Sequence, residues 1–340
     1  MKRFLSLALC FALIICTCSC ALADDKRSFS FFAMDTLMQV TLYGADADTA
    51  ESFKKAVTDR TAALDALWGV NSESGDIAAV NAANGAPVEI SPETAALINK
   101  SVDMHSLTGG AFDITLYPVL KLWGFTDGLY RLPEKSETDA ALGMTGAEKI
   151  IIDGNTLTLP AGFGISLGGI AKGSLGDEMI ALADKNGINA VFSLGGNVAV
   201  AGSKKDGSKW KIGIADPENT AQTFCTVEVD GGCSVVTSGA YERYFEQNGK
   251  KYHHIIDPQT GAPAQSDIIS VTVIGKDGAE CDALSTAFFV MGYEKAAGLQ
   301  KKLNGIEYVI LTSDKTAHVS SAALCAEAAE TSTYSLTVDN

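Results

Sequence analysis

Hydrophobic residues recur along most of the chain with the period of a helix or of a strand. Helical spacing predicts an amphipathic helix over residues 46–67. Ser91 is placed to cap a second helix, which has proline in its first turn and ends at the glycine pair after Thr108. Further helices are predicted over residues 174–185 and from Asp282 through Leu303.

Short runs rich in β-branched and aromatic residues predict the strands. They cover residues 31–43, 150–153, 156–159, 191–194, 210–214, 223–229, 234–237, 252–256, 268–274 and 308–312. Helices and strands interleave without regular βαβ order, so we predict a single large α+β domain with a mainly antiparallel sheet and flanking helices. We predict a surface insertion over residues 126–147 and a C-terminal tail over residues 316–340.

The N-terminus has the pattern of an export signal. Two basic residues precede an apolar run from Phe4 to Cys18, which suits a signal peptide and is short for a membrane span. A small-residue site predicts a signal peptide of residues 1–23, whereas Cys20 offers a lipidation site after residues 1–19. Both alternatives predict export to the cell envelope, as a membrane-anchored lipoprotein or as a periplasmic or extracellular protein.

The net charge disfavours nucleic acid as a partner. It is −15, and it falls to −17 when residues 1–23, with two basic and no acidic residues, are removed. Such a surface repels phosphate backbones and anionic lipid. A polyanionic small ligand would therefore need local cations or a metal, which is a first indication of a divalent ion.

Four cysteines lie beyond the signal and are widely spaced: Cys225, Cys233, Cys281 and Cys325. None forms a CxxC pair, so zinc and iron–sulfur sites are disfavoured. A disulfide between Cys225 and Cys233 across a hairpin is one alternative, and isolated buried thiols are the favoured one.

Gly168–Gly173 separates a predicted strand from a helix. Its glycines would let the backbone approach a ligand closely, and the following helix N-terminus favours an anion. Lys172 adds a cation. The segment has neither a dinucleotide-binding nor a Walker pattern, so a tight strand-to-helix turn is the alternative.

Two other segments offer carboxylates. Asp282 and Thr286 are four residues apart and share one helix face, where hard oxygen ligands suit Mg²⁺. A charge near a helix N-terminus explains Asp282 without a metal. Ala111-Phe112-Asp113 places a ring and a carboxylate where a heterocycle can bind, or else Phe112 belongs to the core and Asp113 caps a turn.

Two of the four histidines stand in Lys251–Gly261, where a predicted strand ends at an Asp-Pro turn. His254 and Asp257 are a candidate general base and its neighbour, with a histidine at a strand end as the structural alternative. His253 faces the opposite side by strand alternation and is predicted to be structural.

Seven motifs follow one another in a characteristic order. They are Ala-Met-Asp-Thr (33–36), Gly-Gly-Ala-Phe-Asp-Ile-Thr (109–115), Leu-Gly-Gly-Ile-Ala-Lys-Gly (167–173), Gly-Gly-Asn (195–197), Thr-Ser-Gly-Ala-Tyr-Glu-Arg-Tyr (237–244), His-Ile-Ile-Asp-Pro-Gln-Thr-Gly (254–261) and Asp-Ala-Leu-Ser-Thr-Ala (282–287). In this order they resemble the ApbE-type FAD:protein FMN transferases, over about residues 30–315. The resemblance implies one T-fold-like domain that binds FAD and a divalent metal, usually Mg²⁺.

The activity implied by this resemblance is the transfer of FMN from FAD to a threonine or serine of a target protein, through a phosphoester, with release of AMP. The implied partners are FAD and an exported acceptor, such as an FMN-binding domain or a redox-complex subunit. Hydrolysis of FAD to FMN and AMP is an alternative, and a flavin-binding protein without turnover is another. Residues 153–156 begin like a flavin-acceptor motif but continue differently, so we expect the chain to modify other proteins.

The resemblance also implies roles for individual residues. The flavin site comprises Met34, Ala111, Phe112, Asp113, Ser166, Lys172 and Ile269. The metal site comprises the Gly169 carbonyl, Asp282, Ser285 and Thr286. His254 would take the proton of the acceptor hydroxyl, with Asp257 orienting it. Ser166 departs from the family pattern, which usually has aspartate there, so this flavin site lacks one charge.

Overall fold

In a computed structural model, which describes residues 26–321, 324 and 332–339, strands and helices alternate irregularly. The strands are β1 (Lys26–Ala33), β2 (Thr36–Tyr43), β3 (Val88–Glu89), β4 (Ile151–Asp153), β5 (Thr156–Thr158), β6 (Asn189–Ser193), β7 (Asn197–Ala201), β8 (Trp210–Asp216), β9 (Asn219–Val229), β10 (Cys233–Gly239), β11 (Tyr244–Gln247), β12 (Lys250–His253), β13 (Ile268–Gly275), β14 (Glu307–Thr312), β15 (Thr316–Val319) and β16 (Ser335–Val338). The helices are α1 (Ala47–Trp68), α2 (Asp76–Ala82), α3 (Pro92–Leu107), α4 (Tyr117–Trp123), α5 (Lys135–Leu142), α6 (Ala171–Lys185), α7 (Gly278–Met291) and α8 (Tyr293–Gln300).

A nine-stranded sheet forms the centre of the fold, in the order β1-β2-β6-β7-β10-β13-β14-β15-β16. Its neighbouring strands are antiparallel, apart from the parallel pair β15–β16. This arrangement confirms the predicted α+β class with a mainly antiparallel sheet.

The two faces of the sheet are buried by different elements. Helices α1, α3, α6 and α7 pack on one face, where alternate strand residues such as Phe192 and Val271 are buried. The hairpin β8–β9 covers the other face through Trp210 and Phe224. A third, smaller apolar cluster joins α4 and α5 to the hairpin β11–β12 and lies beside the histidine segment.

The first predicted strand, over residues 31–43, is wrong in one respect, because it is two strands joined by a tight turn. Met34 and Asp35 both have positive φ (47° and 58°), and Ala33 pairs with Thr36. Two consecutive left-handed residues reverse a hairpin with the right twist, although glycine or asparagine usually occupies them. The alternating pattern continues on both sides of the turn, so it did not reveal the reversal.

Other boundaries also differ from the predictions. The predicted insertion contains α5, and the helix predicted through Leu303 is interrupted at Gly292, whose φ of 80° ends α7. The strand expected to reach Ile256 ends at His253. Beyond the last predicted strand, the C-terminal residues add β15 and β16 to the sheet.

The predicted signal segment and the lipidation site at Cys20 lie outside the described residues, as does Cys325. Cys233 carries a free thiol, so the Cys225–Cys233 disulfide is not formed. Within the described ranges, no helix is both long enough and apolar enough to cross a bilayer.

Candidate functional site

Most of the predicted site residues meet at one edge of the large sheet. The antiparallel order brings together the end of β1, the β6–β7 turn, the end of β10 and the start of β13. Met34 lies at the tip of the β1–β2 hairpin. The β6–β7 turn packs closely against this hairpin, because a Cβ on Gly195 would come within 2.3 Å of Thr36. Segments far apart in the sequence therefore meet at one edge of the sheet.

The segment Ala111–Asp113 is held in place beside this edge. His105 Nδ1 lies 3.0 Å from the Phe112 carbonyl, and Asp113 accepts hydrogen bonds from the backbone and hydroxyl of Thr115, at 2.7 and 2.5 Å. Phe112 is buried. Phe112 therefore belongs to the core and Asp113 caps a turn. The Phe112 ring also borders the site, because it lies 3.1 Å from where a Cβ on Gly169 would be.

The proposed metal ligands converge from two elements. Asp282 is buried and its Oδ2 accepts a hydrogen bond from the Gly173 backbone at 2.8 Å. Thr286 follows one turn later, and its Oγ1 is 3.5 Å from where a Cβ on Gly169 would lie. The absence of a side chain at Gly169 leaves room between the loop and the helix. Carbonyl, hydroxyl and carboxylate oxygens are the donors that Mg²⁺ prefers, so these residues fit the ion.

Ser285 lies deeper than the other candidate ligands. It is fully buried, and its hydroxyl donates to the Asp282 carbonyl and contacts Ser238 Oγ, both at 2.8 Å. Its role as a ligand stays a prediction. Among the described residues, groups of three or more His, Cys, Asp and Glu side chains suited to a metal are absent, so a metal here would have one carboxylate ligand besides the Gly169 carbonyl and the Thr286 hydroxyl.

His254 lies just beyond β12, half-buried, with its Nδ1 3.1 Å from the Arg243 carbonyl. A carbonyl only accepts, so Nδ1 must donate and Nε2 carries the lone pair. Burial is the main cause that lowers the pKa of His254 to about 3; the charges of Arg243 and Lys172 act in the same direction, and the hydrogen bond to the Arg243 carbonyl opposes them. The ring is therefore neutral near pH 7, so Nε2 can accept a proton, as a weaker base than a free imidazole.

His253 and Asp257, which are close to His254 in the sequence, each make structural contacts. His253 is buried, its Nε2 is 3.2 Å from the Ala264 carbonyl, and its ring packs edge-on against Phe289. This is the predicted structural histidine. Asp257 accepts a hydrogen bond from the Gln259 backbone at 2.8 Å and so caps the turn. Its orienting role stays a prediction, since the contact to Nδ1 comes from Arg243.

The other four predicted flavin contacts are Met34, Ile269, Lys172 and Ser166, and the structure shows their local contacts. The Met34 backbone donates to Asp65 at 3.0 Å, and Ile269 occupies an irregularity in β13, where its carbonyl accepts from Ala240 at 3.4 Å. Lys172 is half-buried in the first turn of α6. The Ser166 hydroxyl accepts only a long hydrogen bond, 3.4 Å, from the Gly168 backbone.

Glu242 was missed by the residue assignments, although the motif containing it was recognised. Its Oε1 is 2.9 Å from where a Cβ on Gly196 would lie. Burial raises the pKa of Glu242 to about 8, while Lys172 lowers it and Asp282 raises it. Glu242 therefore lies close enough to Lys172 and Asp282 for their charges to act on it. Only its neighbours in space identify it, because a glutamate between Tyr241 and Arg243 has no local signature of a site residue.

Gly173 is the point of closest approach between α6 and α7. A Cβ there would come within 2.1 Å of the Gly278 carbonyl and 2.7 Å of Asp282 Cβ. Gly173→Ala should therefore lower the free energy of unfolding by about 3 kcal/mol, because backbone atoms cannot make room. It should also displace the Asp282 carboxylate from the position that the predicted magnesium site requires. Chemical denaturation measures the first effect, and magnesium titration measures the second.

Gly298 in α8 provides the matched control, since a Cβ there would meet nothing within 4 Å. Gly298→Ala should change the stability by less than about 1 kcal/mol. Equal stability of the two variants would contradict the close packing of α6 on α7.

Comparison with known proteins agrees with this geometry. The model of the ApbE family matches residues 34–310. The chain is 35% identical over 268 residues to an FAD:protein FMN transferase of Treponema pallidum, covering 74% of each chain. It is 31% identical over 305 residues to one of Klebsiella pneumoniae, covering 88% of this chain and 93% of the relative. The crystal structure of the ApbE protein of Thermotoga maritima superposes with a TM-score of 0.79 at 31% identity, covering 85% of this chain and 95% of that one. This chain therefore belongs to the ApbE family.

Proposed function

We propose that the protein transfers FMN from FAD to a threonine or serine of an exported target protein. The observation that carries the proposal is that Asp282, Thr286 and Gly169 lie together, with Lys172 close enough to the neutral His254 for its charge to act on the ring. The relatives named FAD:protein FMN transferase support it. An oxygen-ligand site beside a base suits phosphoryl transfer, which needs alignment and charge neutralisation.

In this reaction the acceptor hydroxyl oxygen attacks the phosphorus of the FMN half of FAD. The new phosphoester forms as the pyrophosphate bond breaks, and AMP leaves. His254 Nε2 takes the hydroxyl proton, while the Arg243 carbonyl holds the opposite nitrogen. Lys172 binds the diphosphate, and Phe112 and Asp113 face the flavin. Mg²⁺ held by Gly169, Asp282 and Thr286 would neutralise charge on the phosphate oxygens.

The location of the enzyme and its partner belong to the same proposal. The N-terminal pattern supports export, either with cleavage after residue 23 or with a lipid anchor at Cys20. The acceptor is then an exported FMN-binding domain or redox-complex subunit.

Mass spectrometry tests the proposed reaction directly. The protein is incubated with FAD, Mg²⁺ and an exported FMN-binding domain, and the acceptor should gain the mass of FMN while AMP appears in equal amount. FMN and AMP in solution without an adduct would identify a hydrolase instead. FAD that binds without any product would identify a flavin-binding protein.

Ser166 offers a separate test of the flavin site. Ser166→Asp should tighten FAD binding about fivefold, because a carboxylate accepts a stronger hydrogen bond than a hydroxyl. The dissociation constant is measured by flavin fluorescence quenching in the presence of Mg²⁺. Ser166→Asn introduces a side chain with the shape of aspartate but without its charge. Its dissociation constant for FAD should stay near the wild-type value. Equal or weaker binding by the aspartate variant would contradict a role for charge at this position.

A further inference from the structure

A group of aromatic rings stands next to His254 on the side of α4 and the hairpin β11–β12. Phe125 packs edge-on against His254, with ring centroids 6.4 Å apart, and against Tyr130, at 5.6 Å. Tyr130 stacks on Phe245 at 5.2 Å, with the planes only 11° apart. One ring therefore separates Tyr130 from the proposed base.

Two apolar side chains of this region remain open to solvent. Leu129 is 75% exposed and Tyr130 is 40% exposed. Both belong to the segment 124–131, which follows α4. Large exposed apolar side chains on a folded surface mark sites of interaction when a partner is required nearby.

The segment that carries them is fixed in place. The Arg243 guanidinium donates to the Phe125 carbonyl, and the Asn71 amide donates to the Thr126 carbonyl at 2.7 Å. Arg131 binds both carboxylate oxygens of Glu137 at 2.9 Å. Because Arg243 also holds His254, one residue sets the position of the base and of the exposed pair together. A preformed surface loses little entropy when a partner binds.

The proposed reaction requires the acceptor protein to approach this surface. The hydroxyl that reaches Nε2 of His254 belongs to a threonine or serine of that protein, so the residues next to it in the acceptor lie over the side chains around the His254 ring. We propose that Leu129 and Tyr130 bind an apolar side chain next to the modified threonine or serine of the acceptor protein. The inference rests on the proposed function and adds to it a determinant of acceptor choice.

Steady-state transfer to the FMN-binding domain that wild-type enzyme modifies provides the test. Leu129→Ser and Tyr130→Ser should each raise the KM for this acceptor about tenfold, since burying a large side chain contributes that much. The kcat and the KM for FAD should stay within about twofold of wild type. Ile151→Ser is the matched control, because Ile151 is 63% exposed but lies on the separate sheet β3-β5-β4.

A second acceptor sharpens the test. When the apolar residue beside the acceptor hydroxyl is itself changed to serine, Leu129→Ser should cost much less than tenfold, as expected for two groups in contact. Leu129 is mostly exposed, so its variant should fold normally, and circular dichroism checks this.

Three outcomes would overturn the inference. The first is an unchanged acceptor KM in both variants. The second is an altered KM for FAD, which would assign Tyr130 to the flavin nucleotide. The third is a change in self-association or in binding to anionic vesicles with normal acceptor kinetics. Failure of the proposed function is distinct, because wild-type enzyme would then give no adduct at all.

Discussion

Asp282→Ala should reduce FMN transfer by at least about a thousandfold in kcat/KM, because a bound metal contributes several kcal/mol of charge stabilisation. Asp282 is the one carboxylate of the proposed metal site, and it is buried against the Gly173 backbone N–H. Alanine removes both the ligand and that hydrogen bond. Calorimetric titration with Mg²⁺, in the presence of a non-hydrolysable FAD analogue, should show loss of binding alongside loss of activity.

Glu280→Ala is the control on the same helix. Glu280 lies two residues before Asp282 and is half-buried. Its carboxylate is not one of the proposed metal ligands. This variant should keep its activity and its magnesium affinity. Full activity of Asp282→Ala in the presence of a chelator would refute the metal assignment.

His254→Gln should slow the transfer step by about 10²- to 10⁴-fold, the usual contribution of a positioned general base. FAD should still bind with near wild-type affinity, since the flavin and phosphate contacts lie elsewhere. Single-turnover measurements with FAD and acceptor separate the two quantities. A turnover rate equal to that of wild type would remove His254 from the reaction.

His253→Gln is the paired control, and it should affect stability more than rate because this ring is buried against Phe289.

The pH dependence gives an independent readout for His254. Its pKa is lowered from 6.5 to about 3, so wild-type kcat/KM should show no fall between pH 7 and 5 due to this group. An unfolded histidine gains its proton below 6.5 and the folded one does not. Stability should therefore decrease as pH falls from 6.5 towards 3, and His254→Gln should weaken that dependence.

Local signals were sufficient to predict α1 and α3 with nearly their observed bounds. The Ser91 cap and the glycines after Leu107 bound α3 as expected, because capping is a contact between neighbouring residues. The motif around Gly169 and the spacing of Asp282 and Thr286 are equally local. Chain reversal at Met34 was not predicted, since two non-glycine residues with positive φ carry no turn signature.

The sequence by itself determined the α+β class, the family resemblance and most of the candidate site residues, though not Glu242. Only the tertiary structure decided how these groups meet. Glu242 lies against Gly196 because β10 ends at the same sheet edge as the β6–β7 turn. His254 is held by Arg243 rather than through a contact with the nearby Asp257, because the β11–β12 hairpin places that carbonyl opposite the ring. Such pairings depend on strand register and on helix packing between distant segments, which no local pattern of residues specifies.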